Sequence, residues 1–319
     1  MKFNLFNKNK NISDAVEEDT SPTLGYFFKL LFRKLSKIVS LNLMMLFMVF
    51  PILAIFLVYF FSAQTYSQVS PEFASLLGVH TIANSANASL SLELNLSHVG
   101  SPVLSGLDVA LIVACVIFLA ATWGLQNVGS TYVVREMITG KPAFVISDYF
   151  YAVKRNFKQG LLFGIFDALV IVILALDFVQ LYYSNSDFFE SMLFFIICII
   201  IILYATMRMY IYLMMVTFDL SFKKLLKNAL IFAVLGIKRN IMAALGIAAV
   251  IALNAVLIFL LLPYGIAVPL ILPFIYIIAL VSFISAYAAF PVIKRYMIDP
   301  YAEENAQDGE DGEDAEVEA

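Results

Sequence analysis

Two ionisable side chains stand inside long apolar runs: Asp167 in GLLFGIFDALVIVILAL and Arg208 in FFIICIIIILYATMRMYIYLMM. A charge in hydrocarbon is costly and marks either a structural pair or a functional site. Asp167 lies about seven residues into its run, roughly 10 Å deep at 1.5 Å per residue, and Arg208 about nine residues from the end of the next run. The two runs are consecutive and antiparallel, so an Asp167–Arg208 ion pair in the bundle interior is expected. It would serve as a structural clasp or as part of a gated substrate or proton path.

No other chemistry is offered by motif. There is no P-loop, HExxH or GxSxG, and no cluster of His with carboxylates. His80 and His98 have few acidic neighbours, which argues against a metal site. Cys115 and Cys198 are not in a CxxC pair and read as small hydrophobes. The expectation is therefore a non-enzyme with no catalytic residues, metal or cofactor.

The elements that must position Asp167 and Arg208 follow from composition. Of 319 residues, 62% are hydrophobic and 14% charged, far from the roughly 45–50% and 25% of soluble domains. Lipid is the solvent such a chain requires. Six runs reach the length of about 20 apolar residues that a bilayer crossing needs: 38–63, 107–133, 160–183, 192–217, 241–262 and 268–292. Each must be helical to satisfy its own backbone. The expected fold is all-α, a polytopic membrane bundle of about six transmembrane helices over residues 22–300. Pro51, Pro263, Pro269 and Pro273 are placed to kink or end helices. Gln126, Asn127 and Asn254 are expected to hydrogen-bond between helices.

Basic residues orient the bundle. Lys2, Lys8, Lys10, Lys29, Arg33, Lys34 and Lys37 precede the first run, and Arg135, Lys141, Lys154, Arg155 and Lys158 follow the second. Lys223, Lys224, Lys227, Lys238 and Arg239 follow the fourth, and Lys294 and Arg295 the sixth. The intervening loops 64–106, 184–191 and 263–267 contain no Lys or Arg. Because such residues are retained in the cytoplasm, both termini are expected there, in a multi-pass protein of the cell membrane. Topology accounts for the basic residues, so no nucleic-acid partner is expected.

Two of the cytoplasmic loops carry amphipathic stretches that read as interfacial helices. In the first, Ile146, Tyr149, Phe150, Val153 and Phe157 oppose Asp148, Lys154, Arg155 and Lys158. In the second, Phe222, Leu225, Leu226 and Ala229 oppose Lys223, Lys224 and Lys227. Ser147 and Ser221 are the expected N-caps. Both stretches lead to the same triplet, Lys154-Arg155-Asn156 and Lys238-Arg239-Asn240. That coincidence reads either as a parallel repeat of runs two–three and four–five or as chance likeness between two basic membrane entrances. The basic residues of both loops, with Lys238 and Arg239, are candidates for docking a partner or lipid.

Outside the bundle, residues 1–21 form a polar cytoplasmic segment without the apolar stretch of a signal peptide. The outer loop 64–106 contains Leu90, Leu92, Leu94 and Leu96 in strict alternation, a strand signal. Residues 301–319 hold nine acids and no base and are expected to be a disordered acidic cytoplasmic tail.

The segment TLGYFFKLLFRKLSKIVSLNLMMLFMVFPI resembles the opening of the YesL-like bacterial integral membrane proteins, where a basic interfacial stretch leads to an LN-containing first span that ends near a proline. ITGKPAFVISDYFYAVKRNFKQG and VTFDLSFKKLLKNALIFAV are similar to that family's first and second cytoplasmic loops. The resemblance spans roughly residues 22–297; the loop 64–106 is longer than the family's, and the acidic tail is an addition. It implies a domain of unknown function whose members often accompany carbohydrate uptake and breakdown genes. No catalytic residues are defined for it, so none carry over.

Two functions compete on this reading. One is an accessory or assembly component of a carbohydrate transport system, with transporter subunits or a second copy as partners in the lipid bilayer. The other is a self-contained small-solute carrier with a pathway near Asp167 and Arg208. A hydrated cavity reaching those residues would discriminate, since a carrier needs one.

Overall fold

The computed structural model describes residues 22–65, 101–183, 187–266 and 268–300. The terminal segments and the Leu90–Leu96 alternation, with both histidines, lie outside the described residues. The fold is an all-α helix bundle; the described residues include five helices long and apolar enough to cross a membrane, or six spans where a bent helix pair counts as one. It is a multi-pass membrane protein.

The first span departs from the sequence expectation. In place of one helix over 38–63, the structure has α1 (Leu24–Met45), a 3₁₀ turn at Leu46–Met48, and α2 (Val49–Phe61), bent by 47°. Pro51 supplies the cause. It has no N–H for the Phe47 carbonyl, and its ring crowds that carbonyl. Helix α1 begins early because the Thr23 hydroxyl caps it, accepting from the Tyr26 N–H at 3.3 Å.

A three-residue antiparallel ladder, β1 (Ala63–Thr65) with β2 (Ser101–Val103), leads to α3 (Gly106–Ile138). Ser105 and Asp108 open α3 with a capping box. There follow α4 (Val145–Arg155), α5 (Phe157–Tyr183), α6 (Phe188–Thr217), α7 (Phe222–Leu235), α8 (Ile237–Leu261) and α9 (Val268–Ile293). Ser221 occupies the α7 N-cap without a side-chain hydrogen bond. Ser147 is not a cap: α4 starts at Val145, and Asp148 Oδ2 instead accepts from the Phe144 N–H at 2.6 Å.

Helices α3 and α9 are the central pair. Helix α3 packs on α2, α4, α5, α6 and α9, while α9 packs on α1, α6 and α8. Packing is uneven along the spans. Among the described residues, α3 has none buried before Gly124, α6 none before Tyr210, and α5 none beyond Asp167. The tight core therefore occupies the end that bears the basic loops, and the opposite halves leave Leu, Ile and Phe for lipid. Two basic side chains tie that end together: Lys37 Nζ donates to the Ala143 carbonyl at 2.8 Å and Arg135 to the Val216 carbonyl at 2.6 Å.

The matching basic stretches are only half equivalent. Helix α4 packs back on α3, and α7 packs back on α6. The exits differ, however. Helix α5 returns along α3, whereas α8 leaves α6 and packs on α9. The first triplet closes α4 and turns at Asn156, whereas the second lies inside α8, after a break at Gly236. On α4, Tyr149 and Ala152 form the buried contact and Ile146 and Phe150 face outward, while Phe157 is exposed at the start of α5.

Candidate functional site

The site begins with three glycines. Helices α3 and α5 cross where Gly124 meets Gly160 and Gly164, and the GxxxG spacing of the latter pair removes side chains from the contact face. A methyl group at Gly124 would stand 1.9 Å from the Gly160 carbonyl oxygen. This close approach brings Trp123, next to Gly124, against Asp167, one turn beyond Gly164.

Asp167 is fully buried, and four side chains converge on it. Arg208 Nε donates to both carboxylate oxygens at 2.7 and 3.0 Å. Tyr204 Oη donates to Oδ1 at 2.8 Å, Tyr212 Oη to Oδ2 at 2.8 Å, and Trp123 Nε1 to Oδ2 at 2.9 Å. A carboxylate offers about four lone-pair positions. The lone pairs of Asp167 are thus all engaged by side chains of the bundle. It joins α3, α5 and α6 as a clasp, with its charge compensated by three neutral donors and one cation.

Arg208 is the asymmetric partner. Its Nε edge is spent on Asp167, and its guanidinium carbon lies 5.6 Å from the Trp123 ring centroid and 5.8 Å from that of Tyr212, within cation–π range. The two terminal amino groups donate to none of the described residues, and 27% of the side chain remains accessible. Arg208 forms part of the wall of a cavity of about 460 Å³ bounded by α3, α6, α8 and α9. Asn127, Thr131, Asn240, Ser282 and Ser285 supply further polar groups to its lining. The cavity lies between α6 and α8, which meet where the Tyr210 hydroxyl donates to Asn240 Oδ1 at 2.8 Å.

Gln126 Nε2 bonds between helices, to the Met45 carbonyl at 2.7 Å. Asn127 does not; it donates to Trp123 O within its own helix. Asn254 is buried with its Oδ1 unpartnered. Lys154, Arg155, Lys158, Lys223, Lys224, Lys227 and Lys238 are exposed, Arg239 is half-buried, and none forms an ion pair among the described residues. No group of His, Cys, Asp and Glu able to hold a metal occurs among the described residues.

Sequence reasoning missed Trp123, Tyr204 and Tyr212. A signal existed: Tyr204, Arg208 and Tyr212 recur every four residues and so share one helix face. Asn42 was also missed. Its Nδ2 donates to the Phe274 carbonyl at 2.6 Å, and its Oδ1 accepts from the Ala279 N–H at 2.8 Å. It thereby engages two backbone groups of α9, one and six residues after Pro273.

With this geometry in place, similarity to known proteins can be located on it. A family model described as a protein of unknown function, DUF624, matches residues 106–178. The matched stretch is α3, α4 and most of α5, the unit that carries Trp123, the three crossing glycines and Asp167. It ends before Tyr204, Arg208 and Tyr212. No curated protein and no solved structure matches the chain.

Proposed function

We propose that this membrane protein is a small-solute carrier that holds its solute in the cavity beside Arg208. The observation that carries this reading is the cavity itself, about 460 Å³ with Arg208 in its wall, within the range of small-molecule sites. The two unengaged amino groups of Arg208 form a planar donor pair suited to a carboxylate, a phosphate or another oxygen-rich group. Thr131, Ser282 and Ser285 offer hydroxyls to the remainder of such a solute. Asp167 acts through Arg208 by fixing its Nε edge.

In this reading the protein lies in the cell membrane with its basic end and both termini in the cytoplasm. The cavity then opens within the cytoplasmic half of the bilayer. No catalytic step is involved. The reading includes kinship with the YesL-like proteins over residues 22–297, wider than the stretch the DUF624 model matches.

The exposed cations of α4 and α7 favour a second reading, an accessory component that docks on transporter subunits. Its link to carbohydrate uptake rests on the resemblance alone, and it needs no cavity. The test is uptake by liposomes containing the purified full chain, screened with labelled carboxylates, phosphates and sugars. A carrier gives saturable uptake that Ser282→Phe abolishes, because the new ring takes up space in the cavity, which Asp167 does not line. No uptake of any class, together with stoichiometric co-elution of transporter subunits from the native host, would replace this reading with the accessory one.

A further inference from the structure

A second concavity lies on the lipid-facing side of the bundle, about 290 Å³ in volume. Helix α9 is its floor, and α1 and α8 stand apart as its walls, each packed on α9. Phe27 and Leu31 line one wall. On the other, Ala243, Gly246 and Ala249 leave room where larger side chains would fill it. At Gly246 an added methyl would already touch Ile284 at 3.4 Å.

The groove carries one charge. Arg239 sits at its basic end, half-buried, with no hydrogen bond or ion pair among the described residues. The nearby Tyr287 hydroxyl is already committed, donating to the Thr23 carbonyl at 2.8 Å. From Arg239 to Leu253 the groove follows α8 for about 21 Å at 1.5 Å per residue.

We infer that this groove holds one acyl chain of an anionic phospholipid, with the lipid phosphate on Arg239. The occupant has to be apolar along its length, because the walls offer almost nothing else, and anionic at the basic end. Basic pockets between spanning helices take lipid phosphates for the same reason. A helix of a second copy is about 10 Å across and is too thick for a groove of about 290 Å³. A linear chain fits. This site is separate from the Arg208 cavity and does not depend on the carrier reading.

Native mass spectrometry of the detergent-solubilised full chain, titrated with phosphatidylglycerol or phosphatidylcholine, tests the assignment. Wild type should retain phosphatidylglycerol about fivefold better than phosphatidylcholine, the preference expected of one cation at a headgroup. Arg239→Gln should equalise the two lipids, Arg239→Lys should keep most of the preference, and Gly246→Leu should lose the retained adduct of both. Equal retention by wild type, or a preference that survives Arg239→Gln, overturns the inference. So does a dimer peak that Gly246→Leu abolishes, which would give the groove to a second copy. Gly246→Leu lies away from the charge, so its result stands even where Arg239→Gln lowers yield.

Discussion

Gly124 on α3 and Gly164 on α5 meet backbone to backbone: a methyl group on Gly164 would lie 2.4 Å from the Gly124 Cα atom. Contact this close sets the register of the two helices and hence the 2.9 Å bond from Trp123 to Asp167. Gly164→Ala must push the helices apart, at a cost on the order of 2 kcal/mol. The expected result is a lower Tm in detergent and, since the chain has one tryptophan, a changed Trp123 emission. Unaltered melting and emission would contradict the crossing.

The clasp should behave as a unit. Asp167→Asn leaves Arg208 without a counter-charge, and Arg208→Gln leaves a buried carboxylate; each should cost about 3 kcal/mol. The double variant removes both charges and should cost clearly less than the two single losses combined. A double-mutant cycle by thermal unfolding reads this directly. Strict additivity would mean that the 2.7 Å contact contributes no coupling.

Asn42→Leu keeps approximate size while removing both partners of α9. It leaves the Ala279 N–H and Phe274 carbonyl short of a partner in a region without water, at about 1–3 kcal/mol. Hydrogen exchange at the Ala279 amide should accelerate while amides near Phe163 stay protected. Equal protection in the variant would show that α9 closes its own hydrogen-bond ladder there.

On α4, burial pushes the Tyr149 phenol up to about 12 from its ordinary 10. The folded state thus holds the neutral form more strongly than the unfolded chain does. That stability is complete below pH 10 and is lost as pH rises toward 12, by about 2–3 kcal/mol in all. Tm should fall between pH 10 and pH 12 in wild type and fall less in Tyr149→Phe. The comparison isolates this ring from the other tyrosines.

Gly129→Ala tests the same contact from the other side. An added methyl would stand 2.6 Å from the Tyr149 ring, so α4 must lift from α3. Proteolysis within 145–155 should become faster, with the spans intact. An unchanged digestion pattern would show that α4 does not depend on this seat.

The sequence by itself determined the class of solvent, the number of apolar runs, the helical state of each run and the end at which the cations gather. These are properties of single segments: apolar length, backbone satisfaction in lipid and charge count act along the chain. The pairing of Asp167 with Arg208 was legible as well, because equal depth on consecutive antiparallel spans is a matter of counting residues. Only the tertiary structure decided that Trp123, Tyr204 and Tyr212 complete the carboxylate's shell, that Asn42 engages α9, and that α3, α6, α8 and α9 enclose a cavity beside Arg208. Each of these depends on the relative rotation and register of two or more helices. In lipid, close packing at particular glycines and a few directed hydrogen bonds set that register, and apolar periodicity is silent about it.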